Sequence, residues 1–257
     1  MVFAQRGEFL GRVYTAPVMI TETEISEKFV VYSTGERLEG KCMRFRLLYD
    51  GRLLGASRSD TRAPHKHEIR RELSPQLKRL WETDPNLFQV LRTMGNYWLS
   101  DHPEDKETLP STDDGVRQSL REFGLRYWAH KWERGSHGFI PLVTQDMELR
   151  CSLDILFLRP EAPGMLIRGA DLDNRLKTLF DALRLPANLD EMGGSIQAGE
   201  PTYCLLEDDR LISEIKVTAD HLLLLPKEES SHSNDVFLVI EVSLFAPPQS
   251  KWRNAFG

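Results

Sequence analysis

The clearest chemical signal in this 257-residue chain is carried by Asp171, Asp173, Lys177, Asp208 and Asp209. In DLDNRLKTLFDALR (171–184), Leu172, Leu176, Leu179, Phe180 and Leu183 recur at helical spacing and define one apolar face. Asp173, Lys177 and Asp181 form a polar stripe beside it, each four residues from the next. Asp171 lies just before the helix, where its carboxylate can turn toward that of Asp173. Two carboxylates at a helix entry, with a lysine one turn on, suit a hard cation such as magnesium, which takes a few carboxylates plus water and phosphate oxygens. Such a metal can activate water and stabilise charge developing on a phosphodiester. The same residues also have a plain structural reading, with Asp171 or Asp173 capping the helix and Asp173, Lys177 and Asp181 forming a surface ion-pair ladder. Glu207, Asp208 and Asp209 directly precede the alternating stretch LISEIKV. Asp is a poor strand former, so this triplet reads as a turn. If the sheet brings it beside the helix entry, three or four carboxylates converge, an arrangement that is costly without a cation.

Other constellations are weaker. His65, His67 and Glu68 sit in a segment of loop composition and lack the HExxH spacing of a metalloprotease, which favours a solvated loop over a metal site. Tyr127, Trp128 and Trp132 could stack on bases, but at their spacing core packing of a helix is favoured. Gly193-Gly194 lacks the rest of a phosphate-binding loop, and no Ser, Cys or His carries a nucleophile signature. Residues 58–79 hold seven basic side chains, Arg58, Arg62, Lys66, Arg70, Arg71, Lys78 and Arg79, against Asp60, Glu68 and Glu72. That patch suits phosphate contacts, with Arg62, Lys66, Arg70 and Arg71 as the candidate nucleic-acid-binding residues.

Positioning these groups falls to a mixed set of elements. A strand is expected at 43–51, where Phe45, Leu47 and Tyr49 alternate before an Asp50-Gly51 turn, and another at Phe29–Tyr32 within an N-terminal extension, 1–40. After the loop 55–67 a helix follows that Pro75 either kinks or restarts behind Ser74. Asp84-Pro85 caps the next helix, NLFQVLRTMGNYWL. Val116, Leu120, Phe123 and Tyr127 mark a third, running to about Trp132. Strands are then expected at FIPLV and 149–160, the helix at 171–184, and strands at 211–220 and 235–245. The Gly-rich stretch 188–204 reads as an inserted loop. Strand, helix, strand, strand in that order predicts a mixed α/β sheet with packed helices.

Composition sets bounds on class. Hydrophobic residues at 40% and charged residues at 28% leave ample material for a core. Cys42, Cys151 and Cys204 are far apart and form no CxxC pair, which argues against a disulfide framework or a zinc site and for a reducing, cytoplasmic setting. No apolar stretch has signal-peptide or membrane-spanning length, so no membrane association is expected. The net charge of −6 is uneven: residues 151–257 carry 10 Lys or Arg against 17 Asp or Glu, and residues 1–150 carry 23 against 22. A polyanion responds to the local patch more than to the total.

DLDNRLKTLFDAL, followed by an acidic pair and IxxIKV and preceded by the strand SLDILFLRP, resembles the RusA-like Holliday-junction resolvases and endonucleases. The likeness covers about residues 149–245, with a fainter echo at 43–80. It implies an α/β (α+β) core at 41–247 with an enlarged helical N-terminal half (about 68–134), a loop insertion at 188–204 and a tail at 248–257. It further implies Asp171, Asp173 and Asp209 as catalytic carboxylates, with Asp208 also on the metal and Lys177 as the essential lysine. The cofactor would be Mg2+, with Mn2+ as a substitute, and the partners branched DNA and a second copy in a homodimer. The chain departs from the family in the longer spacing from Asp173 to Asp209, the extra helices and the acidic balance. A non-catalytic nucleic-acid or protein-binding module derived from such a nuclease is the alternative.

Overall fold

A computed structural model describes residues 43–56, 62–160, 171–192, 199–223, 234–247 and 250–252, with Asp171 described by its backbone alone. Along the chain these form β1 (Met43–Arg52), α1 (Ala63–Thr83), α2 (Pro85–Asp101), α3 (Asp113–Lys131), β2 (Phe139–Val143), β3 (Arg150–Arg159), α4 (Asp171–Leu183), β4 (Thr202–Leu206), β5 (Ile212–His221) and β6 (Asp235–Phe245). Single 3-10 segments occupy Pro103–Thr108, Asp190–Met192 and Asp209–Leu211.

Period-two patterning builds the main sheet. β3 and β6 bury every second residue, Leu153, Ile155 and Phe157 on one and Leu238, Ile240 and Val242 on the other, all on the face that the helices cover. The order is β1-β6-β3-β5, antiparallel except for the parallel β3–β5 pair. A second sheet pairs β2 with β4 in parallel, and both strands are buried along their whole length. Parallel strands covered on both faces read as continuous apolar runs, as FIPLV and TYCLL do. The result is the expected mixed α/β architecture, with one large core spanning sheet and helices.

Helix ends follow local chemistry. The Asp84 carboxylate accepts from the Asn86 and Leu87 amides at 2.8 and 3.1 Å and starts α2, and the Thr112 hydroxyl accepts from Gly115 at 3.2 Å and starts α3. α2 and α3 pack close enough that a Cβ on Gly95 would strike the Leu120 carbonyl and one on Gly124 the Leu91 carbonyl. This reciprocal approach is open only to glycine at both positions.

Several expectations are corrected. The region 188–204 is not all loop, because Thr202–Leu206 forms β4. The basic helix starts at Ala63, so His65, His67 and Glu68 lie on its first turns rather than in a loop. Pro75 does not open a second helix: α1 continues through it from Ala63 to Thr83, with Ser74, whose hydroxyl accepts from the Tyr203 amide at 2.9 Å, and Gln76, bonded to β1, on either side of the proline. The strand expected at 29–32 lies outside the described residues.

Candidate functional site

α4 is anchored along its apolar face and at both ends. Leu179 and Leu183 are buried in the core, with Leu172, Leu176 and Phe180 packed against it, as the sequence periodicity requires. The buried Arg175 donates to the Asn234 side chain at 3.1 Å, and the Ala56 amide donates to the Asn174 carbonyl at 2.9 Å. At the other end the Arg70 guanidinium donates to the Asp181 carbonyl at 2.8 Å and the Arg184 carbonyl at 3.1 Å. The last carbonyls of a helix lack intrahelical donors and carry partial negative charge, so a buried cation there satisfies both needs.

Arg70 is therefore corrected as a nucleic-acid contact: it is 2% exposed and spent on α4. Lys66 is half-committed, its ammonium 2.6 Å from the Asp181 carboxylate. Arg62 sits at the start of α1, half-buried, and Arg71 is exposed. Asp181 also meets Arg184 at 3.4 Å, and Arg184 in turn holds Glu191 at 3.1 Å. The surface ladder expected along Asp173, Lys177 and Asp181 is thus not formed, since Asp181 pairs across to α1 and forward to Arg184. Asp173 and Lys177 are exposed and have no ion-pair partner among the described residues.

The acidic pair lies where β4 turns into β5. Asp208 accepts from the Arg210 amide at 2.9 Å and takes its guanidinium on both oxygens, at 2.8 and 3.1 Å. The Arg210 hydrogen bond holds the Asp208 carboxyl down at about 2, so it is ionised throughout the neutral range. Asp209 is exposed at the head of the 3-10 segment Asp209–Leu211, which packs alongside α4 and within electrostatic reach of Arg184. Among the described residues no group of three or more His, Cys, Asp or Glu side chains gathers closely enough to hold a metal ion. Asp173, Asp208 and Asp209 are thus not gathered into one such group, contrary to the expected convergence, and the Asp171 side chain is not among the described ones.

The remaining candidates have structural roles. His65 accepts from the Leu54 amide at 3.2 Å. His67 lies 3.4 Å from an Arg70 nitrogen, and burial, followed by the charges of Arg70 and Arg71, pulls its pKa down to about 4. Trp128 is buried and donates to the Pro141 carbonyl at 2.9 Å, so the packing reading of the aromatic helix holds.

A cleft of about 600 Å³ between α1 and α3 has no counterpart in the sequence reading. It is lined by Lys78, Arg79, Arg121 and Arg126, with Glu82, Glu122 and Glu200 interspersed and Tyr203 beside them. Arg121 and Arg126 lie in a third helix whose sequence balance is mixed, and only the fold, which lines one cleft with both helices, adds them to Lys78 and Arg79. Among the described residues no helix is long and apolar enough to cross a membrane. Compared with known proteins, the chain matches no family model, no curated protein and no solved structure.

Proposed function

We propose that the protein is a divalent-metal-dependent endonuclease that hydrolyses phosphodiester bonds in structured or branched DNA. The observation that carries the reading is the exposed Asp173–Lys177 stripe, unpaired among the described residues, at the entry of a helix anchored along its apolar face and at both ends. A carboxylate and an ammonium held one turn apart on a rigid element, and not spent on each other or on neighbours, suit a site that acts on something outside the chain.

The donor chemistry fits a hard cation. Asp171, Asp173, Asp208 and Asp209 offer only carboxylate oxygens, the ligands that magnesium and manganese take. Magnesium keeps several waters and needs few protein oxygens, so one or two carboxylates at a time suffice. Bound there, it would activate water and offset charge developing on the phosphodiester. Asp208, already ionised, needs no proton removed before it ligates, and its pairing with the exposed Arg210 is weak enough to be shared with a cation. Lys177 would place its ammonium against the negative phosphate. Arg62, Arg71 and the cationic side chains of the α1–α3 cleft would offset the repulsion between an acidic chain and DNA.

The test is a cleavage panel of four-way junctions, flaps, single strands, duplex and RNA, with and without magnesium, run alongside calorimetric titration with magnesium or manganese. Asp171→Asn, Asp173→Asn and Asp209→Asn each lower cleavage by about 10²-fold or more while the fold is retained. Parental cleavage in all three variants defeats the assignment. Metal binding without cleavage of any substrate identifies a non-catalytic module.

A further inference from the structure

We propose that the cleft between α1 and α3 binds a small amphipathic carboxylate, its anionic head on Arg121 and the Tyr203 hydroxyl and its apolar body along Leu125 and Ala129. The paired strands β2 and β4 account for the cleft. α1 packs over β4 and α3 over β2, and both pack against α2, which leaves about 600 Å³ between their facing sides. Sites for small organic ligands run to about 300–1,000 Å³. Pro201 and Tyr203, at the start of β4, line the cleft between the two helices. On the α3 side, helical spacing sets Gln118, Leu125 and Ala129 along the middle, with Arg121 on one flank and Arg126 on the other.

The charges decide what fits. Three glutamates line the cleft and each is already engaged, Glu200 by Lys78 at 2.7 Å, Glu82 by Arg79 at 3.8 Å and Glu122 by the Gln118 amide at 2.9 Å. Arg121 is half-buried and makes no ion pair among the described residues, and residues 193–198, which precede Glu200 and Pro201, contain no Asp or Glu. The Tyr203 hydroxyl has no hydrogen-bond partner among the described residues and lies within electrostatic reach of Arg121. Burial, then the charges of Glu82 and Glu200, push that phenol up to about 12, so it keeps its proton and can donate it. A guanidinium fork beside a phenolic donor suits the two oxygens of a carboxylate. Across the lining, four cations against three carboxylates leave one net positive charge, the complement of a monoanion. A phosphate dianion, or a run of DNA phosphates, would meet Glu82 and Glu200 beside the same donors and be repelled more strongly.

The site uses none of the carboxylates of the proposed nuclease and is tested without DNA or metal. Calorimetric titration of the full chain with hexanoate, acetate, hexanol and hexyl phosphate separates the head from the body. Hexanoate is expected to bind tighter than acetate by about tenfold or more, since each buried methylene is worth about fourfold. It also outbinds hexanol, which lacks the charge, and hexyl phosphate, which carries more of it. Arg121→Gln weakens hexanoate by about ten- to a hundredfold, and Tyr203→Phe, which keeps the ring, by about two- to tenfold. Arg92→Gln, at an exposed position on α2, leaves binding unchanged, and circular dichroism checks that each variant is folded. No binding of hexanoate, equal binding of acetate, tighter binding of hexyl phosphate, or an Arg121→Gln variant that binds like the parent overturns the proposal. So does a loss of DNA affinity in Arg121→Gln when no carboxylate binds, which assigns the cleft to nucleic acid instead.

Discussion

Replacing Lys177 with alanine separates stability from chemistry most cleanly. The lysine is exposed, and its helical neighbour Asp181 is already engaged by Lys66 at 2.6 Å and Arg184 at 3.4 Å. Its removal breaks no ion pair among the described residues, and alanine is the better helix former by a few tenths of a kcal/mol, so the net change in stability lies within about ±0.5 kcal/mol. For a chain of this size that moves Tm by about 2 °C at most. If the ammonium instead offsets charge on the scissile phosphate, its removal costs about 3–4 kcal/mol of barrier, which is a loss on the order of 10²–10³-fold in rate. Thermal denaturation and magnesium-dependent cleavage of a branched DNA, measured on the same preparation, read the two quantities. Lys177→Arg keeps the charge with a different reach and donor geometry and recovers part of the rate. Magnesium affinity is largely retained in both variants. Lys177→Ala cleaving at the parental rate would refute the reasoning, and a fall in Tm of several degrees would show that the lysine belongs to the scaffold.

Arg70→Leu removes the donors that close the C-terminal end of α4 and is expected to destabilise the protein by about 2–4 kcal/mol in urea titration, whereas Arg71→Ala, at an exposed position, changes stability by less than about 0.5 kcal/mol. His67 is held below its ordinary value, from 6.5 down to about 4, so the folded state binds fewer protons than the unfolded one. The stability that its neutral form confers is fully present above pH 6.5 and is lost as pH falls through about 4, and His67→Gln flattens that part of the pH–stability curve. Arg71, Lys78 and Arg79 replaced together by alanine should make the dependence of log affinity for DNA on log salt shallower by about 0.9 for each phosphate no longer neutralised, and an unchanged slope would move the DNA surface away from α1.

What can be read in the sequence depends on whether a residue's partner lies nearby in the chain. The alternation of β3 and β6, the apolar face of α4 and the cap at Asp84 are local patterns, and the structure reproduces them. β4 has no such signature: five buried residues behind a Gly-rich stretch alternate with nothing, and their partner is β2, far back in the chain. Pro75 in sequence suggests its usual effect on an isolated helix. The helix nevertheless continues through it, with anchors on either side, Ser74 to Tyr203 and Gln76 to β1, that exist only once the sheet is in place. Arg70 misleads for the same reason, since in sequence it is one cation among seven in 58–79 and only the fold shows the helix end that needs it.

That exchange of roles bears on the acidic site itself. A lone Asp-x-Asp with a lysine four residues on is equally a cap with an ion-pair ladder, and the sequence offers no means to choose. The choice turns on Asp181, the third rung of the ladder. α1 brings Lys66 to its carboxylate and Arg70 to its carbonyl, and Arg184 adds a further cation, so the C-terminal end of α4 is neutralised without Lys177. The negative end of the helix dipole receives its positive charges there, while the first turn, where the dipole favours carboxylates, carries Asp171 and Asp173. With Asp181 occupied, Asp173 and Lys177 remain one turn apart on the same helix, and neither makes an ion pair, with the other or with any further described residue. A lysine retained in a surface ladder would be interchangeable with many residues. On the proposed nuclease reading, a lysine and a carboxylate without ion-pair partners among the described residues, on a helix anchored at both ends, would be available to a phosphate and a metal.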